Sequence, residues 1–542
     1  MVIGKMDLIS SFVYAILKSS VLFIFFSVCF ISHAQLSWLY LEDSCKGKRL
    51  QLSDHEIAQR DHFDFYDYAL KEEIYEEFSN LYKVKGYSRW LNALIIEGEI
   101  SPELRSDPRV ISVERMSYRK VKDVNSSRSI ELLSDSGYYG RAWNQIKMLN
   151  GHLLHQEGYR GKGVTMALCD NGYQSLDSIR AFDSIFLNNQ ILGTYDYVFD
   201  NDTVFDEGSH GTNVLSTIAA VLPDTLVGTA PESSFYLFVT EDNRSEKLIE
   251  EYNWVLAAEA ADSLGVDIIS TSLGYTIMYD EEENSHSYAD MNGDVTPISK
   301  AADIAAKKGM LVVVSAGNSG SSDWHFIGAP ADADSVLTVG SVDADGEISS
   351  FSSRGPSFDG RVKPNICAQG EQAALIGADG RVRTANGTSF SCPIIAGLSA
   401  CLWQAHPEKS NMEILRAIEM SSSLSEQPDN DYGYGIPDFW KAHELLSDSI
   451  FVNFDDPTAK VWTLNPFAHQ MRLFINSEGY QNCQLNIYSI AGKLIESREV
   501  ELYEGVNDKR IILSDVGIGQ VVFIEVLTSS WKKTLKLVKT SG

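Results

Sequence analysis

The stretch Gly163-Val164-Thr165-Met166-Ala167-Leu168-Cys169-Asp170-Asn171-Gly172 reads as a buried parallel strand. An apolar run ends in an acid and then in an Asn-Gly turn signal. In an open α/β sheet, ligands and catalysis sit at the carboxyl ends of the strands, so Asp170 stands at a functional edge. Outward from this stretch, apolar strands alternate with helical segments. Strands are predicted over Val164–Leu168, Ser234–Phe238, Ile268–Ser272, Leu311–Ser315 and Ser335–Val339, and helices over Asn213–Ala220, Leu248–Ala261 and Ile298–Lys308. The alternation predicts an α/β fold, a doubly wound, mostly parallel sheet flanked by helices.

Three more strings carry chemistry. Asp206-Glu207-Gly208 precede Ser209-His210-Gly211-Thr212-Asn213, as acids and glycine do at a helix start. His210 then sits on the first turn, and an imidazole titrating near neutrality can take a proton and return it. Val312-Val313-Val314-Ser315-Ala316-Gly317-Asn318 is another apolar strand ending in a turn, with Asn318 a neutral donor at its end. Gly387-Thr388-Ser389-Phe390-Ser391-Cys392-Pro393 runs into apolar Ile394-Ile395-Ala396, which places Ser389 at the N-terminus of a buried helix. There the helix dipole and unpaired N–H groups suit a nucleophile whose attack creates an oxyanion. Alone, each string is an ordinary turn or loop. Together, in the order Asp170, His210, Asn318, Ser389, they supply an orienting carboxylate, a base, an oxyanion donor and a nucleophile.

With these strings in this order, residues 137–447 resemble a subtilisin-like serine protease, a subtilase. Ser270-Thr271-Ser272-Leu273-Gly274 resembles the family's substrate-binding edge strand. Phe351-Ser352-Ser353-Arg354-Gly355-Pro356 and Lys363-Pro364-Asn365-Ile366-Cys367-Ala368 resemble its late motifs. The resemblance implies that Asp170 orients His210, that His210 is base and acid, that Ser389 is the nucleophile and that Asn318 stabilises the oxyanion. It implies an extended substrate lying against Ser272, Leu273 and Gly274 on one side and Ser315, Ala316 and Gly317 on the other, with a broad, mostly apolar pocket for the residue at the cleaved bond. Four positions depart from the family's usual residues: Asn171 for Ser or Thr, Asn365 for Asp, Gln369 for Pro, and Cys392 for a small residue. None removes a catalytic group.

The chain has 542 residues, more than one domain holds. Its net charge of −29 argues against nucleic acid and anionic membrane surfaces as partners. Lys5 and Lys18, apolar Val21 to Ile31 and then Ser32-His33-Ala34 read as a signal peptide over residues 1–34, so the protein is expected to be exported, secreted or on the cell surface. Residues 35–136 read as a small α+β unit resembling a subtilase propeptide, a folding aid and intramolecular inhibitor. It ends in a polar, breaker-rich linker around Asn125-Ser126-Ser127. Residues 448–542 alternate strands and turns over Met471–Ile475, Gln484–Tyr488, Arg510–Leu513, Val521–Val526 and Thr534–Val538, as in a β-sandwich of about seven strands. With Asn465-Pro466-Phe467, Ile487-Tyr488-Ser489 and the basic Lys532 to Lys539 end, this part resembles the sorting domain of type IX secretion in Bacteroidota, which makes that machinery an expected partner.

No metal or other cofactor is required by this chemistry. Subtilases often carry structural calcium, but Asp290-Met291-Asn292-Gly293-Asp294, in the acidic insertion Tyr279 to Thr296, misplaces its glycine for an EF-hand loop. The insertion reads better as a solvated loop near the cleft. The seven cysteines lack paired metal spacing, and Cys169, Cys392 and Cys401 read as small buried hydrophobes. The expected activity is hydrolysis of protein or peptide substrates. The alternative is an inactive binding or adhesion protein on the same scaffold.

Overall fold

The computed structural model describes residues 36–49, 68–119 except 99 and 117, 137–276 except 243 and 245, 285–447, 461–463 and most of 470–539. The expected signal peptide and the processing linker lie outside the described residues. Among the described residues, no helix is long and apolar enough to cross a membrane.

One compact unit is formed mainly by residues 70–87 and 92–116 with the strand Leu36–Leu41. Its four-stranded sheet is antiparallel where Leu36–Leu41 pairs with Ala93–Glu97 on one side and Val110–Met116 on the other. The helix Glu72–Leu81 buries Ile74 and Phe78, which join Leu39, Leu41, Leu94 and Ile96 in one core. This is the α+β unit expected from the sequence.

In the second unit a seven-stranded sheet runs in the order Ile366–Gln369, Leu337–Val342, Leu311–Ser315, Ile268–Thr271, Thr165–Asp170, Ser234–Val239, Ile191–Asp196. Every adjacent pair is parallel, so the sheet is wholly rather than mostly parallel. Thr165–Asp170 is where the winding reverses: strands later in the chain flank it on both sides. A crevice opens at the carboxyl ends of strands at such a point. The inner strands are buried throughout, which is why they read as unbroken apolar runs. The helices His210–Ala219 and Thr388–Ala405 share one core with Met166, Leu168, Ile268 and Val313; Ile249–Ser263 and Pro297–Lys307 pack on each other. The two outermost strands, Ile191–Asp196 and Ile366–Gln369, are absent from the sequence-predicted set. The first is only half-buried and the second has four residues, so neither gives a strong periodic signal.

Residues 461–538 form two antiparallel sheets, of three and four strands. Leu473, Ile475 and Ile511 from one join Leu485, Ile487 and Ile524 from the other in a shared core. This is the expected sandwich, with the strands Val461–Thr463 and Leu494–Leu502 added to those read from sequence. The six described cysteines are buried and unpaired. The Asp290 carboxylate caps a short helical turn by accepting from Ser287, and Gly293 donates its N–H to Asp332. Among the described residues, no group of three or more His, Cys, Asp or Glu is placed to hold a metal ion.

Candidate active site

The sheet brings Asp170 to the crevice as the last residue of its strand, with only 3% of its surface exposed. His210 opens the neighbouring helix. Two glycines let the loops carrying them touch backbone to backbone. A Cβ on Gly208, at φ +70°, would lie 1.9 Å from the Asn171 carbonyl oxygen, and one on Gly172, at φ +131°, would lie 2.2 Å from that of Glu207. Only glycine accepts both the closeness and the left-handed backbone. The Asn171 side chain then accepts the His210 backbone N–H at 3.2 Å, so the asparagine at this position anchors the helix start.

This packing sets His210 Nδ1 at 2.8 Å from Asp170 Oδ1 and 3.1 Å from Oδ2. An ionised carboxylate only accepts, so Nδ1 carries the proton and Nε2 keeps its lone pair. Burial alone would lower the His210 pKa. The charge and hydrogen bond of Asp170, with the charge of Glu241, outweigh it and raise the pKa above the usual histidine value.

Ser389 is the second residue of the helix Thr388–Ala405 and is 9% exposed. Pro393, inside that helix, has no N–H to give the carbonyl four residues earlier, which is that of Ser389. Ser272 Oγ fills the gap, donating to the Ser389 oxygen at 2.9 Å. The Ser389 hydroxyl donates to the Ser272 carbonyl at 3.3 Å rather than to His210. Ser272, expected as a substrate-contacting residue, therefore clamps the nucleophile's turn from both sides.

Asn318 is exposed, and its Oδ1 accepts from the Thr388 N–H at 2.9 Å and the Thr388 hydroxyl at 3.1 Å. That fixes its amide with Nδ2 outward. A Cβ built on Gly387 would lie 3.7 Å from Asn318 Nδ2 and 3.7 Å from the Ser389 nitrogen. The two nitrogens thus lie on either side of the position that glycine leaves unfilled, with the Phe390 ring 3.6 Å from it.

The remaining predicted contact residues divide. Gly274 is exposed, and a Cβ there would meet only the Ala329 carbonyl oxygen, at 3.6 Å, while Leu273 is buried and its carbonyl takes the Ser315 hydroxyl at 3.4 Å. Ser315 and Ala316 are buried, and the Ala316 N–H is committed to Val339 at 2.9 Å. Gly317 is partly exposed, with its N–H on Thr388 Oγ1 at 3.2 Å. Backbone donors for a substrate are therefore fewer along 315–317 than the sequence suggests.

The departures have local reasons. Asn365 accepts from Thr338 at 2.9 Å and donates to Glu419 at 2.7 Å, a bond an aspartate would replace with repulsion. Gln369 accepts from Asn144 at 2.9 Å. Cys392 lies beneath the sheet, its thiol 3.5 Å from the carbonyls of Thr271 and Val313, and burial pushes its pKa up to about 12.

Sequence reasoning missed a group of acids at this edge. Asp170, Val239 and Asp196 share one level on three adjacent strands, and Glu241-Asp242 follow just beyond Val239. The signal was present: an acid pair directly after an apolar strand, as at Asp170.

The model of the subtilase family, Peptidase S8, matches residues 161–435. Subtilisin E of Bacillus subtilis (strain 168) is 27% identical over 359 residues, covering 65% of this chain and 80% of that protein. Serine protease AprX of the same organism is 28% identical over 349 residues, covering 58% of this chain and 72% of that protein. Among solved structures, the crystal structure of MycP1 with the N-terminal propeptide removed matches with a TM-score of 0.44 at 24% identity, over 55% of this chain and 96% of that one. The chain belongs to the subtilase family and is a subtilisin-like serine endopeptidase.

Proposed function

We propose that the chain cleaves peptide bonds with Asp170, His210 and Ser389, and with Asn318 as an oxyanion donor. The observation that carries this reading is the 2.8 Å Asp170–His210 bond at the same sheet edge as a helix-start serine whose backbone nitrogen and the Asn318 amide nitrogen each lie 3.7 Å from the position of a Gly387 Cβ. Rotation about the Ser389 Cα–Cβ bond turns the hydroxyl from Ser272 toward the imidazole. His210 Nε2 takes its proton as Oγ bonds to the substrate carbonyl carbon. The oxyanion is held by the Ser389 N–H and Asn318 Nδ2, while Asp170 stabilises the imidazolium. The imidazolium gives its proton to the departing amine, the C–N bond breaks, and water then releases the acyl group from Ser389 by the reverse roles.

We further propose that residues 1–34 direct export, that residues 35–136 are a propeptide inhibiting the site in the same chain, and that residues 448–542 address the type IX machinery. Pairing of the short strand Tyr118–Arg119 with Glu246–Lys247 supports the second point, because it is the strand addition by which peptides bind sheet edges. The basic end of the sandwich, Lys532 to Lys539 on an otherwise acidic chain, supports the third. The test is fluorophosphonate labelling of wild type and Ser389→Ala, with N-terminal sequencing. Labelling of Ser389 and a cut in the 120–140 linker that the variant lacks are expected. An N-terminally truncated chain that takes no label would overturn the reading and favour a binding scaffold.

A further inference from the structure

In the free protein the two groups that exchange the first proton are not yet joined. His210 is held by Asp170 through Nδ1, and its Nε2 makes no hydrogen bond among the described residues. The Ser389 hydroxyl donates instead to the Ser272 carbonyl at 3.3 Å. That is long for an O–H···O bond, which is usually about 2.7–2.8 Å. The nucleophile rests on a weak acceptor, one Cα–Cβ rotation away from its base.

Ser272 directly follows the strand Ile268–Thr271, on the edge that the sequence marks for an extended substrate. Two later acceptors on this edge are engaged by the protein itself. The Leu273 carbonyl takes the Ser315 hydroxyl at 3.4 Å, and the Tyr275 carbonyl takes the Ala329 N–H at 3.1 Å. The Ser272 carbonyl faces the catalytic centre, because the Ser389 hydroxyl reaches it. Attack requires the substrate carbonyl carbon within about 3–3.5 Å of the Ser389 oxygen. Within one residue the amide nitrogen and the carbonyl carbon are about 2.5 Å apart, as standard backbone bonds and angles fix. A carbonyl carbon in position for attack therefore brings the N–H of its own residue into the space around the Ser272 oxygen. A backbone N–H bonds to a carbonyl at about 2.9–3.0 Å, a closer fit than the hydroxyl has at 3.3 Å.

We propose that the Ser272 carbonyl is a catch for the nucleophile that the substrate itself releases. In the free protein it holds the Ser389 hydroxyl off His210. The N–H of the residue under attack takes its place, and the hydroxyl then turns to Nε2. The inference rests on the peptidase reading above and adds what starts the rotation. No covalent bond changes in this step. The Ser272 oxygen exchanges an O–H donor for an N–H donor, and the freed hydroxyl donates to the imidazole. Ser272 is thereby a positioning residue through its carbonyl, apart from its hydroxyl, which supports the Ser389 oxygen at 2.9 Å. A peptide backbone arms the site, whereas an acyl group with no N–H beside its carbonyl meets a nucleophile that is still held.

The experiment uses the wild-type protein and two chromogenic peptides that differ in one group. One carries the N–H of the attacked residue, and the other has an ester oxygen in its place. The bond to be cut is the same amide in both. Single-turnover kinetics over a range of concentrations separates the acylation rate from the dissociation constant. The ester-linked peptide is expected to acylate Ser389 about three- to tenfold more slowly, the size of one net neutral hydrogen bond. Its dissociation constant should stay within about twofold, because the N–H replaces a donor already present on the Ser272 oxygen. Equal acylation rates, or a loss that falls on the dissociation constant, would refute the catch and leave the peptidase reading standing. Crystal structures give a second readout: the Ser389 hydroxyl on Ser272 in the free protein, and on His210 Nε2 with the acyl-side product peptide bound. A free protein with the hydroxyl already on Nε2 would overturn the catch as well. Acylation by neither peptide, with no fluorophosphonate label on Ser389, would remove both readings.

Discussion

Replacing Asn318 by aspartate separates what this side chain does for catalysis from what it does for the fold. Its Oδ1 accepts two bonds from Thr388, one from the N–H at 2.9 Å and one from the hydroxyl at 3.1 Å. Its Nδ2 and the Ser389 nitrogen each lie 3.7 Å from the position of a Gly387 Cβ. Asn318→Asp keeps an oxygen for both Thr388 donors, so the helix start remains satisfied and stability should change by less than about 0.5 kcal/mol. It replaces the donor with a negative oxygen where the oxyanion forms. Loss of one such donor costs roughly 2.7–4 kcal/mol of transition-state stabilisation, a fall of about 10²–10³ in kcat, and the added charge deepens it. KM should hold, because the donor is used only as charge develops. Asn318→Ala should show a similar kcat loss and, in addition, about 1 kcal/mol of lost stability from the uncapped Thr388 N–H. Single-turnover acylation with a chromogenic peptide gives the first quantity. Thermal melts in the Ser389→Ala background, which avoids autolysis, give the second. An aspartate variant within tenfold of wild-type kcat, or one destabilised as much as the alanine variant, would refute this division of roles.

Three other outcomes follow from the same geometry. The imidazole must be neutral to act as base, so kcat/KM should fall as pH drops through the raised His210 pKa; Glu241→Gln removes a charge that raises it and should move this acid limb to lower pH. Ser272→Ala should strand the buried Ser389 carbonyl that Pro393 leaves without a helical donor, costing about 1–3 kcal/mol by denaturant titration, whereas Ser272→Thr should recover most of it. Burial lowers the Lys363 pKa to about 7. The unfolded chain, near the usual lysine value of about 10.4, binds the extra proton between these limits, so stability should rise as pH climbs from about 7 toward 9. Lys363→Met should flatten that rise in melts at the two pH values.

Much of the site was legible because its parts sit where local patterns change. Asp170 ends an apolar run, His210 follows acids and glycine at a helix start, Asn318 lies in the turn after the strand Leu311–Ser315, and Ser389 is in the first turn of a buried helix. Each is a boundary that a sequence records through hydrophobic patterning and turn residues. The inner strands were legible for the same reason, since a strand buried on both faces must be apolar at every position. Of the outer strands, Ile191–Asp196 is only half-buried and Ile366–Gln369, though buried, has just four residues, so both were missed.

What the sequence alone determined is the chemistry available: the identity and order of the four groups, and the α/β class that lines them up along one edge. The tertiary structure alone decided the contacts between segments far apart in the chain. It made Ser272 a clamp on the nucleophile's turn, committed the Ala316 N–H to a neighbouring strand, and gathered Asp196, Glu207, Glu241 and Asp242 around one cleft. Those acids stand up to 46 positions apart, Asp196 to Asp242, and share a space because two parallel strands end at one level. Strand register and sheet order set that meeting, and neither is written in any single stretch of sequence.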